Sequence, residues 1–289
     1  MTLHKYINLF ATTLLLLATA ACGNKTTTDL EDENLHGKVK SVTERQYMAV
    51  QQFDKVVKGD PYRPEEGAWD IKKTYNKHGY MIEYLQLAIG DNDTITVTSR
   101  VFDSIVPSRK LLEITDNEKG EVIRYEVTKY NKDGKPDTIA TTDPFGTLQQ
   151  MVLIDYEHRG QKETKSYYSN NGNLRYKQIT ILDGEYPISV TNYDSEGHMI
   201  GCRRDLWKKG LRDSTAFFDE HGRCLSRIGF DYDPYGNIVN QHGTDENGDP
   251  IKVETYEYEY DEQNNWIRCV FRVEGKPYYV TERTIEYYQ

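Results

Sequence analysis

Few side chains of this sequence have the types and spacing that catalysis or metal binding requires. The acidic run 245–249 (DENGD) is similar to a calcium loop, but an EF-hand needs Gly at position 6 and Glu at position 12. Counted from Asp245, Gly248 is at position 4 and Tyr256 is at position 12. The chemistry of a tight turn accounts for this run, and for the shorter run 91–93 (DND), better than calcium does.

Histidine and the common catalytic motifs offer no clear site either. His78, His158, His198 and His221 each lie within two residues of a glycine that the sequence places in a turn. Zinc needs several ligands around one point, and the spacing of these histidines does not show this. The sequence contains no GxSxG, HExxH or P-loop motif, and its 46 acidic residues are too many to single out a catalytic pair. We therefore predict no catalytic residue, no metal site and no cofactor.

The first 22 residues are typical of a targeting segment. Lys5 supplies a positive charge, and the apolar run 9–21 is too short for a spanning helix, which needs about 20 apolar residues. The run ends in TAAC at Cys22, which resembles the lipobox of bacterial lipoproteins with Thr19 where Leu is usual. This resemblance implies removal of 1–21 and lipidation of Cys22, although an ordinary secretory signal with an incidental cysteine would also fit. We predict a lipid-anchored protein of the bacterial outer membrane, facing either the periplasm or the cell surface.

Net charge argues against nucleic acid as a partner, and the cysteine content argues against disulfides and a zinc site. A formal net charge of −10 makes the chain unsuited to nucleic acid. Residues 22–36 are polar and acidic, and they predict a flexible tether from the lipid to a folded domain at 37–289. Three cysteines remain in that domain: Cys202, Cys224 and Cys269. Because they are odd in number and lack CxxC spacing, we predict small apolar strand residues rather than disulfides or zinc ligands.

A turn motif recurs along almost the whole predicted domain. Its best copy is 230–239 (FDYDPYGNIV), in which Tyr232 stands four and Asp233 three positions before Gly236. Most other copies keep an aromatic residue or Thr, followed by Asn, Asp or once Ser, at these two positions. The predicted turn residues are Gly79, Gly120, Gly134, Gly146, Gly172, Gly197, Gly222, Gly236, Gly248 and Asn264. Ten copies with matched flanks exceed what chance would give.

The spacing of this motif is that of a hairpin turn. An Asn, Asp or Ser side chain accepts hydrogen bonds from backbone N–H groups two residues on, which closes the turn. Gly, or Asn as the next best, adopts the positive φ that a type I turn with a G1 bulge requires. The residue four before the Gly then pairs with the residue two after it, which contributes about 0.2–1 kcal/mol per pair. In the copy at Gly120 we assign the two flanking positions to Thr115 and Asp116.

The intervals between turns predict the topology. Glycines at turns come every 12 to 14 residues in two alternating sets, as in an antiparallel meander. Within 256–260 (YEYEY) the tyrosines fall on one face of a strand and the glutamates on the other. We predict an all-β fold, an antiparallel meander of hairpins forming a long twisted or curled sheet, with no substantial helix after the signal. An outer-membrane barrel is the rival, but polar segments such as 161–165 (QKETK) and a mean hydropathy of −0.77 argue against a lipid-facing wall.

Two segments resemble a known repeat. Residues 230–239 and 256–268 resemble the YD repeats of RHS-type proteins, in which a Tyr-Asp pair precedes a Gly-Asn turn. The opening 37–44 (GKVKSVTE) and the tail 275–288 are similar to YD/RHS-repeat lipoproteins of the Bacteroidales type. The resemblance implies a β-hairpin repeat fold at the cell envelope. It implies no catalytic residue.

Three functions stay open on the sequence alone. The first is a non-enzymatic envelope lipoprotein that binds or scaffolds protein or glycan through rows of tyrosine and Trp69, Trp207 and Trp266, unless these residues only pack across strands. The second is an envelope enzyme acting on carbohydrate, with an acid-lined pocket near a predicted loop at 53–68 that follows a first strand at 37–50. The third is an antitoxin-like or immunity repeat protein. We favour the first, because no catalytic motif is present.

Overall fold

Almost all of the described chain is β-strand. The computed structural model describes residues 27–62, 70–90 and 93–289. Apart from one short α-helix and a 3-10 turn at His158–Gly160, these residues form strands and turns, so the predicted all-β meander is confirmed. Among the described residues, no helix has the length and apolar character needed to cross a membrane. The elements are α1 (Asp29–Asp32), β1 (Val39–Gln52), β2 (Lys55–Pro61), β3 (Asp70–Tyr75), β4 (Met81–Leu87), β5 (Thr94–Phe102), β6 (Lys110–Asp116), β7 (Val122–Tyr130), β8 (Pro136–Thr142), β9 (Leu148–Glu157), β10 (Lys162–Ser169), β11 (Leu174–Asp183), β12 (Tyr186–Asp194), β13 (Met199–Lys208), β14 (Leu211–Phe218), β15 (Cys224–Tyr232), β16 (Ile238–Asp245), β17 (Glu254–Tyr260), β18 (Trp266–Val273) and β19 (Lys276–Tyr287).

The first strand closes the sheet on itself. Each strand from β3 to β19 pairs with the next, and β1 pairs with both β3 and β19. Glu44 of β1 lies opposite Arg283 of β19 on one side and opposite Ile71 of β3 on the other. The predicted sheet was long and twisted or curled, and this is wrong in one respect: the sheet closes, and eighteen strands form a barrel. The remaining strand, β2, pairs only with the last part of β1, from Tyr47 onward. Closure removes the exposed edges that an open sheet of this size would carry.

All ten predicted turn residues lie at hairpin turns and have positive φ, from +65° at Asn264 to +93°. At Gly236, Asp233 Oδ1 accepts the backbone N–H groups located two and four residues later, at 2.8 and 2.9 Å. Tyr232 lies opposite Ile238 across the turn. The residues four before and two after the turn residue pair in the same way at the other nine positions. These ten turns therefore share one backbone arrangement.

At the turn of Gly120, the two flanking positions lie one residue later in the chain than predicted from the sequence. Asp116, and not Thr115, lies opposite Val122. Asn117 closes the turn, because its Oδ1 accepts the N–H groups two and four residues later at 2.9 and 3.0 Å. A charged residue, Asp116, can therefore occupy the position before the closing residue Asn117, because backbone hydrogen bonds hold the two strands together there.

One face of the barrel wall is more buried than the other. Residues directly opposite one another on neighbouring strands share a face, as Tyr167 and Val152 do. On that face Val152 is 8% and Glu163 only 1% exposed, although the described chain contains no second layer of strands that could cover them. We therefore assign this as the inner face of the barrel. The other, outer face carries exposed apolar residues such as Leu206, which is 53% exposed.

The predicted loop 53–68 is a hairpin in its first part. After a turn at Phe53, which has a φ of +54°, β2 returns antiparallel to the end of β1. Gly59 and Pro61, two of the residues that predicted a loop, stand in the last part of β2, where the ladder with β1 ends and Pro is tolerated. Lys58 Nζ lies 2.5 Å from Glu282 Oε2, so this side chain of β2 reaches past β1 to the outer face of β19. Residues 63–69 of the predicted loop lie outside the described residues.

Residues 28–36, here called the N-terminal segment, pack against the barrel and so differ from the flexible tether predicted for 22–36. α1 begins with a capping box between Thr28 and Glu31. Leu30 and Leu35 are 8% and 6% exposed. They pack in a core with Val39, Val42, Tyr75 and Met81. Composition predicted a tether because the segment is acidic, whereas two buried leucines and hydrogen bonds attach it to the wall.

The N-terminal segment runs along one edge of the barrel. It forms hydrogen bonds to turn residues of three hairpins: Gly79, Tyr235 and Asn265. Asn34 Nδ2, for example, donates to the Tyr235 carbonyl at 2.8 Å. Because successive turns alternate between the two edges of a meander, these three turns lie on the same edge, which we call the N-terminal edge.

Candidate binding surface

The acidic and histidine residues singled out in the sequence belong to turns. Asp245 Oδ1 accepts two backbone N–H groups of its own turn at 2.8 and 3.0 Å. The His198 and His221 side chains are 73% and 69% exposed, and the nearest carboxylates belong to their own turns. In the part of the chain that the structure describes, no three His, Cys, Asp or Glu side chains group together to hold a metal. Asp91 and Asn92 of the run 91–93 lie outside that part.

The cysteines differ in their surroundings. Cys202 and Cys224 are half-buried thiols, and Cys269 is a thiol with 5% exposure. Burial raises the pKa of the Cys269 thiol to about 12, so the reactive thiolate is scarce at neutral pH. Cys22 lies outside the described residues, and its lipidation stays a prediction.

Five aromatic side chains form a continuous patch on the inner face of β17, β18 and β19, here called the aromatic wall: Tyr256, Tyr258, Trp266, Phe271 and Tyr279. Ring centroids are 5.2 Å apart between Tyr256 and Phe271, and 4.5 Å apart between Phe271 and Tyr279. Those between Tyr258 and Trp266 are 5.7 Å apart. Such distances are typical of favourable aromatic pairs.

Strand alternation and register together build the aromatic wall. Alternation places the tyrosines of β17 on one side, as the sequence predicted. The register then sets Tyr256 opposite Phe271, and Phe271 opposite Tyr279. Only Phe271 is fully buried, at 5% exposure, while the other four rings are half-buried. The wall therefore presents ring surface to the barrel interior.

A polar group borders one end of the aromatic wall. The Tyr256 hydroxyl accepts from Gln241 Nε2 at 2.7 Å and donates to Glu254 Oε2 at 3.1 Å. Burial raises the pKa of Glu254, against the smaller opposing effect of that hydrogen bond. Burial also raises the pKa of Tyr256 itself, so the phenol is neutral. An amide, a carboxyl group and a phenol thus lie together at this end.

A buried ion pair borders the other end. Arg283 donates to Glu44 Oε1 through Nη2 at 2.7 Å and through Nε at 3.0 Å. The two side chains are 9% and 10% exposed, and the guanidinium carbon lies 3.4 Å from the centroid of the Trp266 ring. Burial alone would raise the pKa of Glu44, but Arg283 and Lys73 more than offset it and lower that pKa. The ring is therefore fixed against a cation.

A second set of aromatic residues, which we did not predict from the sequence, joins successive hairpins. Each donates from its hydroxyl or indole N–H, at 2.8 to 3.0 Å, to the backbone carbonyl twenty residues earlier: Tyr130 to Lys110, Tyr156 to Pro136, Trp207 to Pro187, Tyr232 to Arg212 and Tyr258 to Ile238. The donors recur every 25 or 26 residues, except that Leu182 stands at one such position. That period is visible in the sequence. Trp207 therefore joins hairpins, while Trp69 lies outside the described residues.

One groove opens on the outer face beside β2 and has a volume of about 450 Å³. We call it the fork groove, and its lining residues are Thr43, Arg45, Tyr47, Lys72, Leu87, Glu282 and Thr284. Its one carboxylate, Glu282, is paired with Lys58. Glycoside hydrolysis commonly uses two carboxylates, so this groove does not match the acid-lined pocket expected of a carbohydrate enzyme near 53–68.

Comparisons with known proteins give distant structural likenesses. No family model matches the chain, and no curated protein matches it. A porin-like protein from Bacteroides uniformis ATCC 8492 is 14% identical with a TM-score of 0.36, and the match covers 86% of this chain and 96% of that one. A porin-like protein from Bacteroides vulgatus ATCC 8482 is 12% identical with a TM-score of 0.30, and the match covers 86% of this chain and 98% of that one. TcdB2-TccC3 without its hypervariable C-terminal region is 12% identical with a TM-score of 0.25, and the match covers 73% of this chain and 15% of that one. At these scores the likenesses define neither the family nor the function of the chain.

Proposed function

We propose that the chain is a non-enzymatic lipoprotein of the bacterial outer membrane that binds a glycan on its aromatic wall. The observation that carries this proposal is that four of its five aromatic residues are only partly buried on the inner face. Ligand sites combine aromatic surface with a few fixed polar groups. Here Gln241 and Glu254 supply such groups at one end, and Arg283 does so at the other.

The envelope address in this proposal rests on the sequence. The segment 1–21 and the TAAC at Cys22 support export and lipidation, and the YD-type repeats resemble those of envelope proteins. The absence of catalytic motifs from the sequence favours binding over an enzymatic role. An antitoxin-like role has no specific observation in its favour.

Binding is tested with the soluble chain that begins at residue 23, screened on glycan and peptide arrays. We expect glycans to bind, and we expect Tyr258→Ala to weaken the binding at least tenfold. Tyr125→Ala, which removes an outer-face tyrosine of β7, is the matched control and should bind normally. Melting curves of both variants check that they fold. Binding to peptides alone, or to neither class, would contradict the proposal.

The anchor is tested separately by membrane fractionation of the full chain. Cys22→Ser should move the protein from the membrane to the soluble fraction. Cys202→Ser removes a cysteine of the barrel and should leave the protein in the membrane. If both variants fractionate like the wild type, the lipid anchor is wrong, whatever the arrays show.

A further inference from the structure

We propose that the barrel binds a linear chain of neutral sugar units along a row of aromatic rings that leads from one edge of the barrel to the other. This inference rests on the glycan binding proposed above and names the class of glycan. The aromatic row, as we call it, shares three rings with the aromatic wall and continues beyond it at both ends. Its members, in spatial order, are Tyr278, Phe271, Tyr256, Tyr258, Tyr260 and Tyr235.

The aromatic row is continuous. Successive ring centroids are between 4.7 and 6.5 Å apart, which is typical of packed aromatic pairs. Strand alternation places Tyr256, Tyr258 and Tyr260 on the inner face of β17, and the register sets Phe271 opposite Tyr256. The ladder between β18 and β19 has a bulge beside Phe271, so Tyr278 also reaches that ring, at 6.1 Å.

The two ends of the aromatic row lie at opposite edges of the barrel. Tyr235 belongs to the turn between β15 and β16 on the N-terminal edge, and it is 40% exposed. Tyr278 is the third residue of β19, which begins at the opposite edge, and it is 49% exposed. Of the rings between them, only Phe271 is fully buried. Barrels of about 16 to 18 strands are wide enough for an aqueous channel, so the row suits a chain better than a single sugar.

Polar groups beside the aromatic row suit the hydroxyl groups of a sugar. A sugar ring has apolar C–H faces that an aromatic ring can cover, while its hydroxyls point to the sides. Asn237 Nδ2 donates to the Tyr260 hydroxyl at 3.1 Å, and an amide and a carboxyl group lie at Tyr256. Arg283, which packs on the aromatic wall, has a buried Nη1 without a hydrogen-bond partner among the described residues. That donor can serve a sugar hydroxyl.

The charges that border the aromatic row favour a neutral sugar. Asp233 accepts the hydroxyl of Tyr260, and Glu254 accepts the hydroxyl of Tyr256. The guanidinium of Arg283 is already bound to Glu44 at 2.7 Å. An acidic sugar would therefore approach two carboxyl groups, while the cation that borders the wall is paired. Neutral units avoid this repulsion and still use the hydrogen-bonding groups.

Titration calorimetry on the soluble chain from residue 23 tests the proposal. The probes are linear oligosaccharides of glucose, mannose and xylose, each with two and with six units, and galacturonate oligosaccharides of the same lengths. In at least one neutral series, six units should bind at least tenfold tighter than two, because a longer chain reaches more rings. Salt should leave this affinity unchanged, since the probe carries no charge. The six-unit galacturonate should bind at least tenfold more weakly.

Variants at the two ends test whether the sugar chain follows the aromatic row. Tyr235→Ala and Tyr278→Ala should each lower the affinity for six units at least threefold and leave the affinity for two units unchanged, because the central rings remain. Tyr278→Phe keeps the ring and should largely retain the affinity. Tyr125→Ala on the outer face of β7 is the control and should bind normally. Melting curves check that each variant folds.

The other outcomes separate this inference from the proposed function. Equal affinity for two and six units, with binding still weakened in Tyr258→Ala, would overturn the inference and leave the proposed function in place. The same holds if the arrays detect glycans but none of the three neutral series binds, or if galacturonate binds tighter than the neutral chains. Length dependence that neither end variant changes would show that the chain does not follow the row. If the arrays detect no glycan, the proposed function fails, and this inference fails with it.

Discussion

The barrel has two seams that are built in opposite ways. β1 and β19 pair from Val39 at one end to Met48 at the other, and this pairing closes the ring. β16 and β17 pair at two positions only, where Asn240 lies opposite Thr255 and Gln241 opposite Glu254. One seam is therefore held by a long backbone ladder, and the other is held mostly by side chains.

The weak seam shows how side chains replace a ladder. The hydroxyl of Tyr258 donates to the Ile238 carbonyl at 2.9 Å, and Gln241 donates to the hydroxyl of Tyr256 at 2.7 Å. In the connection before β17, Pro250 lies opposite Thr244 but has no N–H to donate, and the Ile251 N–H donates to the Gly243 carbonyl at 3.0 Å. Ladder pairing with β16 resumes at Glu254. The tyrosines of the aromatic wall thus have a structural task as well as the proposed binding task.

The largest effect is expected at the strong seam. Arg283→Leu leaves Glu44 as a buried, unpaired carboxylate, and breaking a buried pair costs about 3–5 kcal/mol. Urea unfolding measures this loss of stability. The matched control is Arg272→Leu on the outer face, whose partner Glu257 is 60% exposed, and it should cost about 1 kcal/mol or less. Equal losses in the two variants would show that the Glu44 pair does not hold the closure.

A smaller effect is expected at the weak seam. Tyr258→Phe removes one hydrogen bond and should cost about 1 kcal/mol. Hydrogen exchange of the β16 and β17 amides should become faster. Tyr232→Phe removes the equivalent bond between β14 and β15, which have a regular ladder, and should leave amide exchange there unchanged. Similar exchange in the two variants would mean that the seams do not differ.

The two seams should also respond oppositely to pH. The lowered pKa of Glu44 stabilises the fold above the ordinary pKa of 4.5, and this contribution is lost as pH falls through the folded value. The raised pKa of Glu254 acts in the other direction, so the fold loses stability as pH rises from 4.5 through the folded value. At pH 7, Glu254→Gln should therefore stabilise and Glu44→Gln destabilise, and both differences should shrink in acid. Melting temperatures between pH 3 and pH 7, about the range of these titrations, measure this.

The smallest effect is expected in the alkylation rate of Cys269, a cysteine of β18. Iodoacetamide at neutral pH should modify Cys202 and Cys224 well before Cys269, whose thiol is buried and has a raised pKa. Mass spectrometry of the soluble chain from residue 23 identifies the modified sites. Tyr258→Phe should quicken the reaction of Cys269, which lies opposite this residue. Rapid labelling of Cys269 in the wild type would show that the weak seam already opens.

Local chemistry was predictable from the sequence, and long-range pairing was not. The turn at Gly236 follows from Asp233 and the positive φ of glycine, both of which are local features. The closure joins Glu44 to Arg283, which are 239 residues apart, and no pattern near either residue marks it. The face of the YEYEY tyrosines was predictable from alternation, whereas the aromatic wall also needs the register of β18 and β19. The fork groove arises from the change of partner along β1 and has no signature in sequence.

The packing of residues 28–36 would limit the distance between the barrel and a bilayer if the proposed lipid is present on Cys22. Thr28 is fixed beside Gly79, and only five residues, 23–27, lie between it and Cys22. An extended chain of that length spans about 20 Å, so a lipid on Cys22 would hold this rim of the barrel close to the head groups. The opposite rim would then face outward. Phe53, fully exposed at the tip of the β1–β2 hairpin, would project from that far rim into the surrounding solvent.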